Sequence, residues 1–345
     1  MKALVLEKKN ELSFRDYPLA ETVGPDDVKV AIKACGVCGS DVHYYTEGRI
    51  GDFVVNEPMI LGHESSGIVL EAGANVKTLK AGDRVCMEPG IPDFKSIETL
   101  KGMYNLDPSV RFWATPPIHG CLRESVVHPA SLTFKLPGNV SYHEGALVEP
   151  VAIGMWAAKK ARIAPGDTAL VIGGGTIGIV TALAAESSGC SKVYIADIKK
   201  GKLDFIKQHY GDKLEVIDLN QTDVTSFFEK RGINGVDIVF EASGSMEAFK
   251  KMCHYLVPGG RIVLIGMPTE LAPLDVVTMQ IKELSIESIF RYVNVYPLVI
   301  SMIASGKLNV KPLVTRQYPF TDSVAAIKYA ATLPENDVKI MIDFA

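Results

Sequence analysis

The chain has 345 residues, about twice the usual size of one domain, so two separate cores are expected and a single small module is excluded. Apolar residues make up 47%, charged residues 22% and aromatics 8%, ordinary usage for a chain that folds throughout. Acidic side chains number 40 against 36 basic ones, a net charge of -4, and no uniform positive field is available to draw in nucleic acid or an anionic membrane surface.

In chain order, the opening MKALVLEKKN has an apolar stretch of only residues 3–6, too short for the core of a signal peptide, and a cytoplasmic protein is expected. Up to about residue 150, short apolar segments alternate with Gly, Pro and Asp. VKVAIKACG, MILGH, SSGIVLEAG, AGDRVCMEPG and TFKLPGNV read as strands or strand ends of a β-rich domain. From residue 151 to 290 the pattern becomes strand-helix-strand. TALVIGG, KVYIAD, VDIVFEASG and RIVLIGM are the predicted strands, with helices predicted in TIGIVTALAAESSG, stopping at Gly189, and SMEAFKKMCHYLVPGG, stopping at Gly259 and Gly260. Residues 291–345 return to mixed patterning, and NVKPLV and VKIMIDF are expected to be strands that rejoin the first domain. The longest uncharged stretch, residues 168–185, holds four glycines and changes from strand to helix pattern, which argues against a membrane span.

The sharpest local signal lies at residues 173–178, GGGTIG, which satisfies G-x-G-x-x-G after an apolar strand and before a helix. In such a loop Gly173 permits the tight turn, Gly175 lets backbone approach a pyrophosphate, and Gly178 lets helix and strand pack closely. The helix start then offers free N–H groups to the phosphates. Asp197 closes the next strand 19 residues past Gly178, where a carboxylate receives the adenosine ribose hydroxyls and repels the extra phosphate of NADP. NAD is the expected cofactor. Lys199, Lys200 and Lys202, which follow, are the residues able to offset that preference.

Six cysteines, Cys35, Cys38, Cys86, Cys121, Cys190 and Cys253, are too sparse for a disulfide framework and read as thiols or metal ligands. Cys38 in CGVCGSD and His63 with Glu64 in LGHESSG are a thiol, an imidazole and a carboxylate in one half of the chain, a donor set that suits zinc with one position open. Glu149, in LVEPVAIG, is a candidate further ligand or holder of a metal-bound water. Cys35 and Cys38 also form a C-x-x-C, the pattern of a redox pair or half a zinc knuckle. No second C-x-x-C follows, and Cys35 reads better as a buried small side chain.

Taken together, CGVCGSDVHYY, GHE, AGDRV, VEP and the Gly173 loop resemble the zinc-dependent medium-chain dehydrogenases over essentially the whole chain. MEPGIP, YNLDPSVRFWATPP, FRYVN and VKPLVT are similar to the sorbitol and xylitol dehydrogenases of that superfamily, most of all to the bacterial xylitol-oxidising ones. The resemblance implies the α/β class: a GroES-like β-rich catalytic domain, residues 1–150 completed by 291–345, and a Rossmann domain with a doubly wound parallel sheet, residues 151–290. It implies a homotetramer, one catalytic zinc held by Cys38, His63 and Glu64 with Glu149 as ligand or water holder, and no structural zinc, because the four-cysteine lobe is missing. Ser40 falls where the proton-relay hydroxyl stands, and His43 passes the proton outward. Tyr44, Phe53, Phe112, Thr115, Arg291 and Tyr292 are expected to line the polyol pocket. Thr176, Ile177, Ile198, Lys202, Ile265, Gly266 and Phe290 complete the expected cofactor contacts beside Gly173, Gly175, Gly178 and Asp197.

The activity so implied is reversible, NAD-dependent oxidation of a secondary alcohol of a sugar alcohol to a ketose, xylitol to D-xylulose first, with sorbitol and L-arabinitol as alternative substrates. A zinc-free quinone or enone reductase and a non-catalytic NAD-binding protein of the same fold are the competing classes. The Cys38, His63 and Glu64 set weighs against both.

Overall fold

One ten-residue strand, Asp27–Gly36, organises the β-rich part of the molecule. The computed structural model describes residues 1–345 and divides into two units, Met1–Glu149 with Tyr296–Ala345, and Pro150–Val295. In the first unit, Asp27–Gly36 alternates buried with half-buried side chains, the period-2 pattern of a strand with one face on a core. One of its edges pairs antiparallel with Glu64–Ala72 along its length. The other edge is shared, with Ser125–Pro129 on residues 27–31 and the C-terminal strand Lys339–Asp343 on residues 34–36. The full sheet runs Thr133–Lys135, Arg84–Met87, Glu64–Ala72, Asp27–Gly36, Lys339–Asp343, Val314–Pro319. A second sheet joins Lys2–Lys8 to Glu11–Asp16 and Met59–Ile60. Leu4, Leu6, Ile32, Ile60, Leu61, Leu122 and Ile342 fill the core between them.

The second unit is a six-stranded, all-parallel sheet ordered Leu214–Asp218, Lys192–Asp197, Thr168–Ile172, Val236–Glu241, Leu256–Leu264, Ser285–Ser288. In chain order that is 3-2-1-4-5-6, the doubly wound arrangement whose strand order reverses between Thr168–Ile172 and Val236–Glu241. Ligands bind at such a reversal, outside the carboxyl ends of the strands. The helix Thr176–Ser187 follows the first strand and is buried from Gly178 to Ala185, which accounts for its uniformly apolar sequence. No helix is long and apolar enough to cross a membrane.

Two predicted elements differ. SMEAFKKMCHYLVPGG is helical only over Met246–Lys251, then a 3-10 turn over Met252–Tyr255, and Leu256 already begins a strand. Lys282 Nζ donates to the carbonyls of Cys253, His254 and Leu256, which would otherwise be left open where the helix stops. Burying Leu256 in the sheet then outweighs continuing the helix into Pro258. NVKPLV is a 3-10 turn at Lys311–Leu313 with the strand starting only at Val314, because Pro312 has no N–H for a sheet ladder.

Candidate metal centre and dinucleotide site

The strand Asp27–Gly36 ends two residues before Cys38, which caps the helix Gly39–Glu47. Asp41 is the third residue of that helix and closes a capping box by accepting the Cys38 N–H at 3.0 Å. Its other oxygen accepts the Gly62 N–H at 2.9 Å, one residue before His63. A single buried carboxylate therefore ties the Cys38 turn to the His63 turn. His63 Nδ1 lies 4.0 Å from the same Asp41 oxygen, within ion-pair range but too far for a hydrogen bond.

Glu64 enters from the first position of the strand Glu64–Ala72, opposite Gly36. A Cβ on Gly36 would stand 2.1 Å from Glu64 Oε2, so only glycine leaves room for the carboxylate. The candidate ligand atoms of Cys38, His63 and Glu64 all lie within 4.8 Å of one another. Glu64 is almost wholly buried and is met by Lys339 Nζ at 2.8 and 2.7 Å.

The electrostatics of this cluster are one-sided. Burial alone would push the His63 pKa down, yet Cys38, Asp41 and Glu149 outweigh it and hold the imidazole well above its ordinary range. Burial likewise opposes the charge on Lys339, and Glu64, Cys38 and Glu149 overcome it and raise its pKa. For Asp41 burial wins over His63 and its two backbone donors, and its carboxyl titrates high. A pocket that makes a buried imidazole take up a proton is short of positive charge, and a divalent ion supplies that charge while displacing the proton. Thiolate, imidazole and carboxylate are the donors zinc prefers, so the residues present fit the ion.

Ser40 and His43 stand on the same helix three residues apart, Ser40 half-buried and His43 exposed. Glu149 is buried in the helix Tyr142–Lys160, one residue before Pro150. Phe112 packs its ring 5.6 Å from the His63 ring. Thr115 follows in the same turn, its N–H donating to the Phe112 carbonyl. Tyr44 is buried in the hydrophobic core, whereas Phe53 is exposed and lines a pocket of about 540 Å3 that includes none of Cys38, His63 and Glu64.

In the second unit Gly173 has φ +112°, and its turn is held by its own N–H donating to the Ala196 carbonyl. A Cβ on Gly178 would fall 1.8 Å from the Gly173 carbonyl oxygen, whereas one on Gly175 meets nothing within 4 Å. The loop thus closes tightly beneath and stays open above, at the start of a helix whose first N–H groups have no intrahelical partner. Asp197 accepts from the N–H groups of Gly174 and Lys199, which anchors the carboxylate at the strand end. A pocket of about 310 Å3 lies there, lined by Gly173, Asp197 and Ile198 together with Leu219, Val224 and Tyr255. Thr176, Ile177 and Lys202 are half-buried at the starts of the two adjoining helices. Ile265 and Gly266 follow the fifth strand, where both N–H groups donate to the Glu241 carbonyl. Phe290, exposed, carries the Arg291 guanidinium over its ring at 4.7 Å, and Tyr292 is buried.

Residues 24–138 match the GroES-like domain of alcohol dehydrogenases and residues 176–305 the zinc-binding dehydrogenase domain. A D-xylulose reductase of Morganella morganii is 53% identical over 96% of this chain and 98% of its own length. The chain belongs to the polyol branch of the zinc-dependent medium-chain dehydrogenases. Sorbitol dehydrogenase of Rattus norvegicus is 39% identical over 95% of this chain and 92% of its own. An Escherichia coli alcohol dehydrogenase solved in complex with the cofactor NADH superposes with a TM-score of 0.90 at 26% identity, over 100% of this chain and 99% of that one. The α/β class expected of this family, with a Rossmann sheet and a GroES-like β-rich domain, is the one observed.

Three residues of the metal region escape sequence reasoning. Asp41 had a usable signal, since Cys38-x-x-Asp41 ahead of a helix is a capping pattern. Lys339 showed only as a charge heading the strand KIMID. Glu88, buried and hydrogen-bonded by Tyr104 at 2.6 Å, is pushed up to about 7 by burial, which the Tyr104 bond opposes and the Glu149 charge assists.

Proposed function

We propose that this protein is an NAD- and zinc-dependent polyol dehydrogenase that reversibly oxidises a secondary alcohol of a sugar alcohol to a ketose, with xylitol and D-xylulose as its pair. The observation that carries the reading is the convergence of Cys38, His63 and Glu64 on one buried point, in a chain 53% identical to a D-xylulose reductase. Zinc, when bound, would supply a Lewis acid that lowers the pKa of a coordinated hydroxyl far enough for it to lose its proton near neutral pH.

The chain's own residues do the rest. Cys38, His63 and Glu64 would hold the ion, Asp41 ties the Cys38 and His63 turns together, and Glu149 would serve as further ligand or hold the exchanging water. Ser40 accepts the alcohol proton at Oγ, and His43, exposed on the same helix face, hands it to solvent. Phe112, whose ring packs on that of His63, and Thr115 in the same turn form the wall against the carbon skeleton. The Gly173 loop and the helix start at Thr176 take the pyrophosphate, Asp197 the ribose hydroxyls, and Ile198, Lys202, Ile265, Gly266 and Phe290 flank the cofactor. The anchored carboxylate of Asp197 supports NAD over NADP.

The protein acts as a homotetramer in the cytoplasm. Six free thiols are in keeping with a reducing compartment, and exposed Leu271, Val277 and Ile281 offer apolar surface for assembly. Light scattering that gives a monomer refutes the assembly.

The test is a steady-state screen of xylitol, sorbitol and L-arabinitol with NAD and NADP, before and after chelation. Turnover of xylitol with NAD, lost on chelation and restored by zinc, is expected. Full velocity after exhaustive demetallation, or no turnover of any polyol, overturns the reading, whereas preference for sorbitol or L-arabinitol changes only the substrate.

A further inference from the structure

The C-terminal strand contributes a charge to the metal region that the proposed chemistry does not use. Lys339 is 4% exposed, and a lysine this deep persists only when paired. Its three donors meet three acceptors: both Glu64 oxygens at 2.8 and 2.7 Å and the Val37 carbonyl at 3.0 Å. The placement follows from register. Met341 pairs with Gly36, Gly36 pairs with Glu64, and the Val37 N–H donates to the Ile340 carbonyl. Lys339 therefore overhangs the end of the central strand at Val37, next to Cys38.

The Glu64 carboxylate is pinned from two sides, by the ammonium and by the close wall of Gly36. A carboxylate has about four acceptor directions, so Lys339 takes two and leaves the others for an ion shared with Cys38 and His63. Resting on the zinc reading above, we propose that Lys339 is a positioning residue of the metal site, which holds the Glu64 carboxylate in place while competing with the ion for its charge.

The competition gives a consequence opposite to that of a simple structural contact. Around this point stand the acidic groups Cys38, Asp41, Glu64 and Glu149, with Lys339 the fixed cation among them. Removing its charge leaves a buried carboxylate uncompensated in the metal-free protein but fully available to a bound ion. The metal-free form should weaken while the ion is gripped harder.

The experiment follows zinc release from the loaded protein into a colorimetric chelator, and thermal unfolding of loaded and stripped protein, for the native chain, Lys339→Met and Lys339→Arg. Zinc should leave Lys339→Met slower by roughly tenfold or more, as expected from removing a unit charge a few ångströms from the ion. The gap between loaded and stripped melting temperatures should widen. Lys339→Arg, which keeps the charge, should stay near the native rate. Where Lys339→Met fails to fold, Lys339→Gln carries the same expectation. Faster release, or an unchanged gap, overturns the role of Lys339 and reduces it to a strand contact. Cobalt substitution separates the two readings. A native protein that shows no thiolate-to-cobalt band takes the zinc reading down with this one, and a normal band with unslowed release takes down only the role of Lys339.

Discussion

The two candidate sites are built in opposite ways. The phosphate-binding part of the dinucleotide site draws on residues 168–198, one strand, one loop, one helix and the next strand, and its working parts are backbone: a helix start, a turn at Gly173 and the absence of a Cβ at Gly178. The candidate metal site draws on Cys38, His63 and Glu64, with Lys339 on Glu64, from segments spread over the first unit, and its working parts are mostly buried side-chain charges. A backbone site costs little to bury because its donors are those every helix start leaves over. A side-chain site of this kind carries several acids out of water and relies on partners such as Lys339 and the donors to Asp41. It should accordingly be the more sensitive of the two to pH, chelators and single substitutions.

The strongest break in that contrast comes from Cys38→Ser. Polyol turnover and zinc content should both fall to background, while NADH binding followed by fluorescence stays native, because the cradle lies in another segment. Retained turnover ends the assignment of Cys38. Gly178→Val is the reciprocal change. Its Cβ would sit 1.8 Å from the Gly173 oxygen, and overpacking of this kind costs about 1 to 3 kcal/mol or more. NADH affinity and melting temperature should drop with zinc content unchanged, and a native melting curve contradicts the close-packing argument.

Asp197→Ala acts on cofactor choice. Removing a carboxylate that repels a phosphate at close range is worth from about 1 kcal/mol in water to about 4 at an effective dielectric of 20, so the kcat/KM ratio of NAD to NADP should fall at least several-fold. An unmoved ratio would mean that another group reads the ribose.

Glu88 sharpens the comparison at its low end. Its folded pKa of about 7 lies above the ordinary carboxylate range, so the folded state keeps a proton that the unfolded chain releases. Its contribution to stability is fully present below the unfolded value and fades as pH rises through about 7. The span is roughly 3 kcal/mol at most. His128, driven down to about 3 by burial, works the other way, and its contribution is lost as pH falls from about 6.5 towards 3. Subtracting the stability-pH curve of Glu88→Gln from that of the native protein isolates the Glu88 part, which should decline between pH 5 and 8. A flat difference curve refutes the shift.

The cofactor loop, its strand and its helix were legible because the determinants are local: glycine spacing, an apolar strand before it, and an acid at the next strand end all lie within one βαβ unit. The donor set of the metal site was legible as residue types, Cys38 and His63-Glu64, but not as a cluster. Where local pattern and tertiary pairing conflicted, as after Lys251 and at Pro312, pairing prevailed. Sequence by itself settled the α/β class, the family and the chemistry on offer, since these depend on periodicity and on short motifs. Only the folded chain decided that Asp41 joins the Cys38 and His63 turns, that Gly36 makes room for Glu64, and that a lysine near the C-terminus meets that carboxylate. Those facts depend on strand register between distant segments, and the energy of a buried charge is set by whichever group the register brings within reach.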